Sequence, residues 1–355
     1  MATQTPPPRA RRGRLSWRSL SRSHRGAVLA YVAAITLFIV GGIYRPSFVQ
    51  PSNIAELLLL SSFVGLTAAG QTFVILIGGI DLSIPWVLNA MAVMLTTTSL
   101  GANARAWWVV PEVLVVGLAV GAANGLGIVL FEIPPVVMTL GMNGIMEGLV
   151  LGFTGGFTCP SCNAYAPPVV QDAVTGQLIP GVPNGLLVWA VVAVVVGLVL
   201  GFAVLGRRIY ALGNNAVAAY LAGVNVGLVT VIVYALSGLF AGLTGIVLAA
   251  FGGQATLGMG DPYLFSSIAA VVIGGASILG GRGTYWGTIA GAIFLTVLTS
   301  VLQEYNISEA GRSIASGVVI LVALLLLWAR GAGGVRHGSN GLDSVALAGG
   351  LNCQA

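Results

Sequence analysis

Lysine is absent from this 355-residue chain, and all fifteen basic residues are Arg. That excludes a P-loop nucleotide site, whose Lys reaches the β- and γ-phosphates, and it excludes Schiff-base chemistry on a Lys amine. Histidine is almost absent too. His24 and His337 both fall in the tails, so neither can ligate a metal or relay protons within an apolar stretch. The ten acidic residues are scattered, with none of the clustered carboxylates or His and Cys ligands that an enzyme acting on lipid-linked substrates needs. Charged residues amount to 7%, against roughly 25% in soluble domains, which argues against a fully water-exposed fold. A hydrophobic content of 57% excludes disorder.

What is present is apolar: mean hydropathy is +0.96, with 51 Gly. Ten apolar runs are separated by polar breaks, at 27–44, 53–77, 83–100, 107–131, 134–153, 185–205, 227–250, 262–279, 284–303 and 313–330. At about 20 residues per crossing, ten helices use about 200 residues and leave no room for a sizeable soluble domain. The expected fold is therefore all-α, a polytopic membrane helix bundle of about ten transmembrane helices. Seven Arg precede the first run, which places the N-terminus in the cytoplasm by the positive-inside rule. An even number of crossings returns the C-terminus to the same side. Twelve Arg then lie in cytoplasmic segments, and only Arg45, Arg105 and Arg312 lie outside. The run Ala27 to Ile43 is longer than a signal-peptide core and lacks an A-x-A cleavage site, so a retained first helix is favoured. A basic stretch beside a membrane helix meets anionic lipid more readily than nucleic acid.

This divides the chain into a basic cytoplasmic tail (1–26), a membrane domain (27–330) and a Gly-rich, flexible cytoplasmic tail (331–355). Two connections are longer than helix bundles require, an outer loop over 154–183 and a cytoplasmic loop over 206–226, and long loops in compact domains are usually functional or disordered. The outer loop contains Cys159-Pro160-Ser161-Cys162, read as a local disulfide or an unpaired thiol pair rather than a metal site. A faint internal echo links Leu76–Trp86 (LIGGIDLSIPW) with Val272–Arg282 (VIGGASILGGR). Internal duplication is common in transporters, and Gly pairs are common in membrane helices in any case.

Several polar residues interrupt the apolar runs. Asp81 and Ser83 follow the pair Gly78-Gly79, which weakens a helix locally. They mark either a broken helix beside a transport path or a cap on the next helix near the inner interface. Asn143 and Glu147, at i and i+4, share one helix face. Intramembrane ionisable groups usually face a bundle interior or a water-filled cavity. Gln71, Asn89 and Asn124 suit either a neutral, hydroxyl-bearing solute or hydrogen bonds between helices.

Three stretches resemble the membrane permease subunit of bacterial ABC importers for monosaccharides, of the ribose, xylose, arabinose and galactose type. They are GQTFVILIGGIDLS (Gly70–Ser83), GRRIYALGNNAVAAYLAGVNV (Gly206–Val226) and AAVVIGGASILGGRGTYWGTIAGA (Ala269–Ala292), in consistent order between about 27 and 330. The resemblance implies a pair of ten-helix permease subunits, forming a homodimer or heterodimer in the bacterial inner membrane. Partners implied are cytoplasmic ABC ATPase subunits and an extracytoplasmic sugar-binding protein, with the lipid bilayer around them and no nucleic acid. It implies no cofactor, no metal and no catalysis in this chain, since the ATPases supply the energy. It further implies that 206–226 holds a coupling helix for the ATPase, formed by Arg207, Arg208, Tyr210, Gly213, Asn214, Asn215, Ala218, Ala219 and Gly223. The translocation path would carry Gln71, Asp81, Ser83, Asn89, Asn124, Asn143 and Glu147. Val217 and Tyr220 stand where the family often has an acidic and a basic residue, and Ile84-Pro85-Trp86 replaces the usual Val-Gly-Ser. The competing function is an ion-coupled secondary transporter or channel for a small polar solute, which would need no ATPase.

Overall fold

The computed structural model describes residues 22–157 and 164–308, and beyond them 310–312, 314, 315, 317–319 and 321. The basic tail up to residue 21, the Cys159–Cys162 motif, much of the expected 313–330 span and the 331–355 tail lie outside the described residues.

The described residues include the α-helices α1 (Arg22–Tyr44), α2 (Pro51–Leu76), α3 (Ile84–Ser99), α4 (Asn103–Phe131), α5 (Pro135–Thr154), α6 (Pro168–Thr175), α7 (Asn184–Phe202), α8 (Val204–Asn214), α9 (Ala216–Leu221), α10 (Val226–Gly252), α11 (Asp261–Ile273) and α12 (Tyr285–Glu304), and the described residues between 310 and 321 are helical as well. No strand forms among these residues beyond two isolated bridges, Tyr165 with Gln254 and Ile179 with Val182. Starts follow local chemistry. Pro occupies the first turn of α2, α3, α5, α6 and α11, where its missing N–H costs nothing. Asn215, Asn225 and Thr284 cap α9, α10 and α12 by accepting from backbone amides.

Among the described residues, seven helices are long and apolar enough to cross a membrane. Two of the expected spans differ. The 83–100 run becomes α3, of 16 residues, and the 262–279 run becomes α11, of 13. At 1.5 Å per residue these are about 24 and 20 Å long, short of a ~30 Å hydrocarbon core. The cause is irregular backbone on the flank of each: 77–83 precedes α3, 253–260 precedes α11, and 274–284 follows it. Those breaks are packed against protein. Asn89 Nδ2 of α3 donates to the Thr256 carbonyl at 2.8 Å, and a side chain at Gly260 would collide with the Pro85 carbonyl. Irregular backbone within a bundle is tolerated when protein surrounds it in this way.

α2 and α10 form the centre, 83% and 67% buried over their apolar windows, whereas α1 and α5 are each 17% buried and lie at the periphery. Lipid is as apolar as Leu, so these helices associate by close packing and hydrogen bonds rather than by a hydrophobic drive. α4 and α10 show the close packing. Gly117 and Gly121 face Gly238, and a Cβ at Gly121 would collide with the Tyr234 carbonyl oxygen. Elsewhere, the buried Trp189 indole of α7 donates to the Tyr285 hydroxyl at 3.1 Å, which donates to the Gly65 carbonyl at 2.8 Å, tying α7, α12 and α2 together.

Candidate functional site

The break between α2 and α3 is organised by Asp81, whose side chain is 1% exposed. Its Oδ1 accepts from the Ser83 amide at 2.9 Å and the Ser83 hydroxyl at 2.6 Å, and its Oδ2 accepts from the Ser237 hydroxyl of α10 at 2.6 Å. Asn124 Nδ2 of α4 donates to Ser83 Oγ at 2.9 Å, so the Ser83 hydroxyl passes a hydrogen bond on to the carboxylate. Asp81 thus anchors a helix break and does not cap α3, whose N-cap position is Ser83 with no side-chain cap hydrogen bond. Ser237 lies 11 residues into the 27-residue α10, about 17 Å along it at the helical rise. Asp81 is therefore buried among the helices beside the middle part of α10.

α5 supports the same break from the other side. The Thr139 hydroxyl accepts from the Leu82 amide at 3.0 Å, and Asn143 Oδ1 accepts from the Trp86 amide at 3.4 Å. Two amides near the start of α3 are satisfied in this way. Glu147 follows one turn on, half-buried. Gln71 is fully buried in α2 with neither amide atom hydrogen-bonded, and one acceptor each of Asn89 and Asn124 is unpaired, as is the Tyr234 hydroxyl. The structure joins Asp81, Ser83, Asn124 and Asn143 around one break, while Asn89 bonds the neighbouring 253–260 segment. Ser237, Thr139 and Tyr234 were missed in the sequence because a single hydroxyl in an apolar helix carries no signal. The small residues at 117, 121 and 238 did carry one, four-residue Gly spacing within a predicted span.

The 206–226 loop folds as α8 and α9 and presents two faces. Arg207, Arg208, Asn215, Ala218 and Gly223 are exposed. So are the apolar Val217, Tyr220 and Leu221, at 69%, 68% and 79%. The other face is turned inward. Ile209 is fully buried and Ala219 is 4% exposed. The Tyr210 hydroxyl donates to the Gly283 carbonyl at 2.8 Å, and Asn214, although exposed, donates through Nδ2 to the Tyr210 carbonyl at 2.7 Å and the Gly281 carbonyl at 3.2 Å. Burial raises the Tyr210 phenol above its ordinary range, so it remains a donor at physiological pH. Gly213 is packed so tightly that a Cβ would collide with the Leu76 carbonyl at the end of α2.

At the opposite end of the bundle the connections are pinned together. Tyr165 O accepts from the Gly101 amide and the Ser99 hydroxyl, and the Ala166 amide donates to Gly253 O. A cavity of about 470 Å³ opens there, lined in part by Tyr165, Gln171 and Gln254.

Comparison with known proteins follows the same outline. Residues 53–328 match the family described as branched-chain amino acid transport system / permease component. The ribose import permease protein RbsC of Haemophilus influenzae is 32% identical over 296 residues, 83% of this chain and 91% of that protein. RbsC of Bacillus subtilis is 33% identical over 301 residues, with 83% and 91% covered. The autoinducer 2 import system permease protein LsrC of Klebsiella pneumoniae is 32% identical over 299 residues, 84% of this chain and 85% of that protein. No solved structure matches the chain.

Proposed function

The chain belongs to this family of transport-system permease components, and from that premise we propose that it translocates a monosaccharide delivered by an extracytoplasmic binding protein. It is a multi-pass membrane protein and the permease subunit of an ABC importer, with ATP hydrolysis carried out by a separate subunit. The observation that carries the sugar reading is the match to two ribose permeases over 83% of the chain. The finer arrangement belongs to the same proposal. The chain crosses the bacterial inner membrane about ten times with both termini in the cytoplasm, pairs with a second permease subunit, and docks ATPase subunits on the 206–226 loop. The exposed Arg207, Arg208, Val217, Tyr220 and Leu221 give that loop a face with both charge and apolar area for a partner.

Alternating access requires that the path hold its solute weakly, since tight binding would slow release. Gln71, Asn89, Asn124 and Glu147 suit that role as amides and a carboxylate able to exchange hydrogen bonds with sugar hydroxyls. They are buried or half-buried in the structure, so the proposal requires a conformation that opens onto them.

The test is uptake of labelled pentoses and hexoses by proteoliposomes holding this chain, a candidate ABC ATPase that co-purifies with it, and a candidate sugar-binding protein. ATP-dependent uptake is expected. Uptake driven by an ion gradient without the ATPase would establish the secondary-transporter alternative instead. The charge reversal Arg207→Glu with Arg208→Glu is expected to impair uptake while membrane insertion stays intact. Normal uptake by that variant would overturn the coupling-loop assignment.

A further inference from the structure

We propose that Tyr210 and Asn214 do not contact the ATPase but act as positioning residues, fastening the 206–226 loop to the 274–284 turn and the end of α2, so that movement of the loop displaces the break at Asp81. This deepens the coupling role proposed above and rests on it.

Three separate segments converge at one spot. The first is the C-terminal end of α8, the second is the irregular 274–284 segment, and the third is the last turn of α2. The Gly281 amide donates to the Leu76 carbonyl at 2.9 Å, satisfying an acceptor that the end of α2 would otherwise leave open. Asn214 bonds the Gly281 carbonyl, and Tyr210 bonds the Gly283 carbonyl. Gly280 has no room for a Cβ either: it would lie 2.8 Å from the Gly78 amide and 3.0 Å from the Gly213 carbonyl. All three backbones are therefore in direct contact, with no side chain between them to absorb a displacement.

The two segments that echoed each other in sequence are the ones that meet here. Both interrupt helices, and the 206–226 loop is bonded to their junction. From Leu76 the chain reaches Asp81 in five residues, and Asp81 is in turn bonded to Ser83, at the start of α3, and to Ser237 of α10. A push on the exposed face of α8 and α9 thus has a continuous route of hydrogen bonds and backbone contacts to the buried break. Packed backbone transmits displacement because interiors have little free volume to take it up. Asn214 is itself exposed, but its amide nitrogen is committed to the Tyr210 and Gly281 carbonyls, whereas Arg207, Arg208, Val217, Tyr220 and Leu221 present exposed side chains to a partner.

The test uses the reconstituted complex with its ATPase and binding protein, supplied with a mixture of labelled ribose, xylose, arabinose and galactose. The double variant Tyr210→Phe with Asn214→Ala removes the side-chain donors while keeping the aromatic ring. The ATPase is expected to co-purify as in the wild type with hydrolysis within about twofold, while sugar moved per ATP falls about fivefold or more, the lower end of coupling between distinct sites. Tyr210→Phe alone, which removes one oxygen and no packing, is expected to shift the same ratio in the same direction. A second readout is thiol labelling of Leu279→Cys, since Leu279 is 89% exposed on the 274–284 turn. Its labelling rate should change on trapping the ATPase with vanadate, and should cease to change in the double variant. An unchanged ratio with unchanged labelling overturns the proposal. Loss of the ATPase from a folded double variant also overturns it, and assigns these residues to docking. A wild-type complex without ATP-dependent uptake overturns the coupling reading itself, and the proposal with it.

Discussion

At Asp81 a single carboxylate collects an amide and two hydroxyl donors, from its own segment and from a helix 156 residues away. Ser237→Ala removes one of those donors, and a hydrogen bond is worth about 0.5–1.5 kcal/mol. Thermal unfolding in detergent should register that loss, with Asp81→Ala destabilising more because all three donors are then left unpaired. Gln71 presents the opposite case, a buried amide with both atoms unbonded. An unsatisfied buried group costs about 1–3 kcal/mol, so Gln71→Met should raise thermal stability. If Gln71 also meets the solute during transport, the same variant should transport more slowly despite being more stable. An increase in stability with unchanged uptake would take Gln71 out of the path. Asp81 and Gln71 were visible in the sequence as polar residues in apolar surroundings. Their different states were not, because Ser237 is an ordinary hydroxyl that only the tertiary fold brings to Asp81.

Among the helices, the closest approach is made where α4 and α10 present glycine to each other. Gly121→Val is expected to sharply lower the yield of folded protein, since the new side chain meets the rigid carbonyl of Tyr234 and not a movable chain end. Gly144→Ala on α5 is the control. A Cβ there meets nothing within 4 Å, and exchanging Gly for Ala in a helix favours it by about 0.8–1 kcal/mol. Comparing fluorescence-detected elution profiles of the two variants checks the contrast. Helix positions were largely legible from apolar runs: the 134–153 run corresponds to α5 and the 284–303 run to α12, each within a residue or so. Helix length was less legible at α3 and α11. Hydropathy continues through the 274–279 segment, while the hydrogen-bond ladder of α11 stops at Ile273.

For the molecule as a whole, the asymmetric placement of Arg sets an expectation of orientation that labelling can check. In a background with Cys159, Cys162 and Cys353 replaced by Ser, Arg208→Cys should react with an impermeant maleimide only in inside-out vesicles. Arg105→Cys should react only in right-side-out ones, and the reverse pattern would invert the topology. Composition and short motifs carried the solvent and the class of work. A chain with 7% charge has too few charged residues for a water-exposed fold and no Lys for a P-loop, and three Gly-rich motifs resemble those of permeases. Those conclusions depend on composition and local order, which need no folding to read. Only the packing of the helices buries Asp81 within the bundle, brings two sequence echoes into contact, and ties Tyr210 and Asn214 to the 274–284 turn while Arg207 and Arg208 stay exposed. Each of these is a contact between residues far apart in the chain, set by how helices with small residues at their crossings pack, and hydropathy along a single chain holds no record of it.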